Sequence, residues 1–210
     1  MGDDGLTEKE WRERISRRSD FTCGLVHLTK PNEDLGMNGF EVLMKILEEK
    51  TLRGSNKGFI CGSDNVVCFQ DVPLQSISEN IHYEQKLRKE KATTKRYSAF
   101  GLRFAKEVIF KAGGRPVIYE KRIEAKRFLP KSEYWRIVSF DLSDKNNIID
   151  WTHEREWRIK GDFHFEWNQV EVLLSKETSF NKFYNYCKDH DLEDMLNEIN
   201  GIIKLKSIVF

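Results

Sequence analysis

The feature that most limits the fold of this chain is a succession of short apolar or alternating runs that never settles into a regular strand-helix repeat. Residues 23–30 are apolar and end at Pro31. Residues 66–69 are a second such run, and within 97–104 Phe100, Leu102 and Phe104 alternate with smaller or polar residues. Residues 117–119, after the turn Gly113-Gly114-Arg115-Pro116, and then 135–142, 170–174 and 202–210 complete the expected strands. Helices are expected between them. Thr7 and Glu10 open one over 7–18 as a capping box, and Phe40, Leu43, Met44 and Leu47 mark an amphipathic one over 39–50. Others are expected within 75–96, over 106–111, over 178–190, and over 192–200, where Leu192, Met195, Leu196 and Ile199 form a stripe ended by Gly201. Such a mixture argues for an α+β fold with largely antiparallel sheets. One domain over 1–210 suits the length, with 1–20 as an N-terminal helical extension and 178–210 as C-terminal helices and a closing strand.

The chemistry-bearing stretch is 150–159, where three kinds of ionisable side chain lie between Trp151 and Trp157. At a strand's period of two, Trp151, His153, Arg155, Trp157 and Ile159 share one face, and Thr152, Glu154, Glu156 and Arg158 the other. With the tryptophan face packed, the two carboxylates point together into a cleft or into water. A helix capped by Asp150 is the rival reading. Lys160-Gly161-Asp162 reads as a turn and 163–167 as the return strand of a hairpin. Early in the chain, His27 sits in an apolar strand with Thr29 on the same face, so the pair offers two hydrogen-bonding groups to a ligand. The competing reading of His27 is a satisfied core histidine.

Charge narrows the choice of partner. The whole chain carries +1, yet 86–131 holds fifteen Lys and Arg against four Glu, +11 in all, which leaves −10 elsewhere. That segment suits a phosphate-rich partner such as a nucleic acid, and 86–96, with six Lys and Arg, is expected to be an exposed, mobile element. A merely solvated face is the other possibility. The N-terminus has no signal-like apolar run and no stretch approaches a membrane span, so a cytoplasmic protein that does not engage a membrane is expected. Cys23, Cys61, Cys68 and Cys187 form no CxxC pair, which argues for reduced thiols and against a metal site.

The ordered series 26–30 (VHLTK), 67–74 (VCFQDVPL), 97–102 (YSAFGL), 114–119 (GRPVIY) and 151–159 resembles the AbiGi-like abortive-infection proteins of bacterial phage defence, over roughly 17–175. More remotely, a His-x-Thr strand, a helix ending in Ile46-Leu47, a Phe69 strand followed by Pro73-Leu74, and a late glutamate strand are similar to DarT-type ADP-ribosyltransferases. The resemblance implies an ADP-ribosyltransferase-like split sheet with NAD as substrate in its cleft. It implies an antiviral toxin acting by abortive infection, with an antitoxin or defence protein as a partner. His27 and Thr29 would contact a ribose of NAD, and Phe69 or Tyr97 would stack on nicotinamide. Glu156 would be the catalytic glutamate, with Glu154 as base for the acceptor. From the residues themselves, His27 and Glu156, polar groups on short apolar or aromatic strands, are expected to line one cleft on neighbouring strands. Two other readings stay open: a nucleotide- or partner-binding module on the same fold, and a nuclease or phosphotransferase using His153, Glu154 and Glu156.

Overall fold

The computed structural model describes the backbone of residues 5–91 and 98–209, and the side chains of all of these except 84–91 and 209. In chain order the strands are β1 (Gly24–Leu28), β2 (Thr51–Leu52), β3 (Val66–Gln70), β4 (Gly101–Ala105), β5 (Arg115–Pro116), β6 (Ile118–Tyr119), β7 (Ile137–Val138), β8 (Glu156–Lys160), β9 (Phe163–His164), β10 (Val170–Leu174) and β11 (Gly201–Lys204). The helices are α1 (Glu8–Ser16), α2 (Gly39–Glu49), α3 (Leu74–Lys91), α4 (Lys106–Lys111), α5 (Arg122–Phe128), α6 (Glu177–Asp189), α7 (Glu193–Glu198) and α8 (Lys206–Val209). Seven strands form an open sheet in the order β11-β10-β4-β1-β3-β8-β5, antiparallel except at the β10/β11 edge. The architecture is α+β and mostly antiparallel, with flanking helices.

The strand period sorts the core into two layers. Leu25, Val67, Phe69, Leu102, Phe104, Ile159, Val170 and Val172 pack on one face against α2 and α6, through Phe40, Leu43, Met44, Leu47 and Phe183. Val26, Leu28 and Leu173 turn to the other face, against Ile77 and Ile81 of α3 and Leu205 before α8. α2 forms where its sequence caps it. Asn38 Oδ1 accepts from the backbone N–H groups of Phe40 and Glu41, and the Glu41 carboxylate returns to the Asn38 N–H at 2.8 Å. Burying its apolar stripe is worth roughly 1.5–3 kcal/mol per large side chain.

Three expectations change. The 151–167 segment is not a two-stranded hairpin: Thr152–Glu154 is a 3-10 turn, Arg155 turns left-handed at φ 43°, and β9 pairs with β2 rather than with β8. The 135–142 run becomes a 3-10 helix over Lys131–Arg136 and the two-residue β7. The closing strand stops at Lys204, because Leu205 turns into the core and α8 follows. The basic element expected at 86–96 lies largely outside the described residues; only the backbone of 86–91 is described, as the end of α3.

The join between β1 and β3 positions the site. These strands share one register pair, Val26 with Gln70, whereas β1 and β4 pair along five residues. Beyond Val26 they part. Val66 at the far end of β3 pairs instead with Ser55, outside the strands.

Candidate active site

Gln70 stands opposite both Val26 and Glu156, and Cys68 stands opposite Arg158. Directly paired residues share a face, so Cys68, Gln70, Glu156 and Arg158 form one group on the side away from α2. His27 shares its face with its partner Leu102 and packs edge-on against Phe69, their ring centroids 5.9 Å apart. The expectation that His27 and Glu156 line one cleft is therefore corrected. Strand alternation sends them to opposite faces, and they meet only through Cys68. Its carbonyl oxygen lies 2.8 Å from His27 Nδ1, and its thiol feels the Glu156 carboxylate.

A carbonyl can only accept, so His27 Nδ1 carries the proton and the ring supplies a bond where the β1/β3 ladder is interrupted. Burial pushes the His27 imidazole below its ordinary range, against the Cys68 carbonyl, which favours the charged form; nearby Lys30 lowers it further. Burial also drives the Cys68 thiol far up, with the Glu156 carboxylate adding to the effect. This cysteine is a thiol, not a nucleophile.

The rest of the expected ligand-binding set is used internally. Thr29 is 1 % exposed, its hydroxyl 2.9 Å from the Gly39 carbonyl and 2.8 Å from Ser98 Oγ. It ties the start of α2 to β1. Phe69 is equally buried and packs edge-on against Phe104 and Phe163 as well as His27, so its faces belong to the core. Tyr97 lies outside the described residues.

Glu154 and Glu156 do come together, though not by strand alternation. The 3-10 turn and the left-handed Arg155 fold Glu154 back until the Gln70 side-chain amide donates to its carboxylate. Glu154 is buried, with His153 Nε2 3.8 Å away. Gln70 Oε1 is also buried and has no hydrogen-bond partner among the described residues. Reversing the amide would set that oxygen against the Glu154 carboxylate, acceptor to acceptor, so its orientation is fixed. Glu156 is gripped by Arg158 Nε at 2.7 Å and Nη2 at 3.3 Å. Arg158 is 2 % exposed and spends Nη1 on the carbonyls of Trp135 at 2.6 Å and Ile137 at 3.3 Å. The Glu156 backbone N–H donates to the Tyr119 hydroxyl at 2.8 Å. Burial, above all, pushes the Tyr119 phenol up to about 12; the N–H it accepts opposes this, while the Glu156 and Glu154 carboxylates add to it. Tyr119 therefore keeps a proton to donate.

Sequence reasoning missed Gln70, Tyr119 and the guanidinium that holds Glu156. One signal was present: Glu156 and Arg158 two apart in a strand, between large apolar residues, place opposite charges on one face beside packed neighbours. Among the described residues no cluster of three or more His, Cys, Asp or Glu is placed to hold a metal ion.

A separate cavity of about 910 Å³ opens on the α2 side where β1 leaves β3, lined by His27, Pro31, Val42, Ile46, Leu52 and Ser55 among others. Much of its charged rim pairs off internally: Glu49 lies 3.8 Å from Lys45 and 3.1 Å from Arg53, and Lys57 lies 3.6 Å from Asp34. Comparison of the chain with protein-family models, with curated proteins and with solved structures returns no match to any of them.

Proposed function

We propose that the Glu154/Glu156 end of β8 is a ribosyl-transfer site, with NAD as the donor and the chain acting as an ADP-ribosyltransferase-like toxin. The observation that carries this reading is the unpartnered, buried Oε1 of Gln70, a residue whose amide donates to Glu154 and whose register partner is Glu156. With the Tyr119 proton it makes an acceptor and a donor beside fixed negative charge, which is what the vicinal hydroxyls of a ribose can satisfy. Cleaving the bond from ribose to nicotinamide sends its electron pair to the leaving ring and builds positive charge on the sugar. Glu156, held by Arg158, would stabilise that charge. Glu154 would take the proton from the acceptor as the acceptor bonds to the ribose carbon. Only the glutamate half of the expected NAD site is supported, since Thr29 and Phe69 are committed elsewhere and His27 faces the other way. The role in phage defence rests on the sequence resemblance alone.

Thermal unfolding in the presence of ADP-ribose tests the site. Saturation at about 100 times the dissociation constant should add about 2.7 kcal/mol to stability. Tyr119→Phe and Gln70→Ala should each remove most of that gain; equal stabilisation in both variants would end the reading.

A second reading has its own support. Arg158 uses Glu156 to neutralise a buried guanidinium that secures the Trp135 and Ile137 carbonyls. On that view the pair is architectural and the chain is a non-catalytic nucleotide-binding module. Ligand stabilisation without NAD turnover would favour it.

A further inference from the structure

The turn that carries Glu154 is held from two sides. On the inner side the end of β3 grips it: the Gln70 amide donates to the Glu154 carboxylate, and the Asp71 N–H donates to the Arg155 carbonyl at 3.1 Å. On the outer side the Arg155 guanidinium donates through Nη1 to the Asp20 carbonyl and lies 5.5 Å from the centroid of the Phe21 ring. Arg18 approaches the same ring, at 5.1 Å. Asp20 and Phe21 belong to the segment that joins α1 to β1, and no residue along 5–21 is buried. α1 is fastened further along, where Arg12 Nη2 donates to Glu107 of α4 at 2.6 Å. One side of the turn is thus built into the sheet, and the other rests on a surface segment.

The residue that joins the two sides is also the one with the unusual backbone. Arg155 stands at φ 43° and ψ 51°, a left-handed conformation that side chains disfavour and glycine adopts freely. The reversal falls between Glu154 and Glu156, so it sets Glu154 beside Gln70 instead of letting it extend β8. Backbone geometry alone would favour glycine here; the arginine adds the tether to Asp20 and Phe21. We infer that Arg155 is a positioning residue: clamped by residues 20–21, it fixes the turn so that the Glu154 carboxylate meets the acceptor nucleophile. The surface segment before β1 thereby becomes part of the site. The task given to Glu154 rests on the proposed function, whereas the clamp rests on these contacts alone. Arg155 acts only through Glu154.

The test compares the full-length wild-type protein with Arg155→Gly, Arg155→Lys and Phe21→Ala, by amide hydrogen exchange and by nicotinamide release from NAD with water as the acceptor. Arg155 and Phe21 are both exposed, so none of these changes opens the core. The informative amides are those of Glu154 and Arg155, which close the turn onto Trp151 and Thr152, and that of Asp71, which bonds to Arg155. In Arg155→Gly they should exchange about 10-fold faster, because the turn opens locally more often. The unfolding temperature of that variant should not fall, since glycine suits the left-handed backbone. Its kcat should nonetheless drop by about 10²-fold with KM for NAD unchanged, as expected when a proton acceptor is misplaced by about 1 Å. Phe21→Ala should change exchange and kcat in the same direction. Arg155→Lys keeps a donor for the Asp20 carbonyl and a cation for the Phe21 ring, and should recover both. Unchanged exchange at the three amides in Arg155→Gly and Phe21→Ala would overturn the clamp, and faster exchange with undiminished kcat would overturn the positioning role. No nicotinamide release by wild-type protein would instead overturn the proposed activity and with it the task of Glu154, while exchange would still decide the clamp.

Discussion

Cys68, Glu156 and Arg158 show how much of this site is decided by single contacts. Arg158 is almost wholly buried and its charge is met by one carboxylate. Arg158→Met, which keeps the length and drops the charge, leaves Glu156 without its partner, and breaking a buried pair from one side typically costs about 3–5 kcal/mol. Chemical denaturation of the variant should show a loss in that range; a loss under about 1 kcal/mol would mean that the pair is not structural. His27 gives a pH test. Its folded pKa is depressed by burial, so below the unfolded value of about 6.5 the unfolded chain takes up a proton that the native state refuses. Stability should fall as pH drops below about 6.5, by up to about 1.4 kcal/mol per unit from this group. His27→Asn keeps a donor near Nδ1 and does not titrate, so this component should vanish from its stability-pH curve. A curve parallel to wild type between pH 6.5 and 5 would show that His27 is not the group responsible.

At the scale of elements, the most legible pieces were those whose local signals agree with their packing. α2 is the clearest, with its cap, stripe and burial all visible in 38–50. Asn38→Ala removes two accepted N–H bonds and half of the capping box, and should cost about 1 kcal/mol with an unchanged m-value. A shift below about 0.3 kcal/mol would show the cap to be redundant. β1, β3 and β10 were legible as apolar runs for the same reason. The 150–159 stretch was not, because a period-two reading assumes extended backbone throughout and Arg155 adopts φ 43°, a conformation rare for a side chain of its size. That one residue moves Glu154 out of the strand while keeping it beside Gln70. The chain after the 160–162 turn joins β2 rather than β8, because turn residues say where the chain reverses, not which edge it joins. Phe69 and Thr29 fit ligand contacts by their place in a pattern, and only packing reveals that each is buried in the core.

The whole molecule is a seven-stranded sheet with a weak central join, and its two faces serve different ends. The α2 face holds most of the apolar core and the 910 Å³ cavity, whose charged rim is largely self-paired. The opposite face carries the two glutamates and the buried arginine. The separation was not visible in the sequence, since it follows from the register of β1 on β3 and β3 on β8, and register is a long-range property. The most direct test of the proposed chemistry is nicotinamide release from NAD by wild-type protein and by Glu156→Gln, in which folding is checked by thermal unfolding. The expected result is turnover by wild type and a loss of about 10² to 10³ in rate in the variant, with both proteins folded. Full turnover by Glu156→Gln, or none by folded wild-type protein with and without single-stranded nucleic acid, would contradict it.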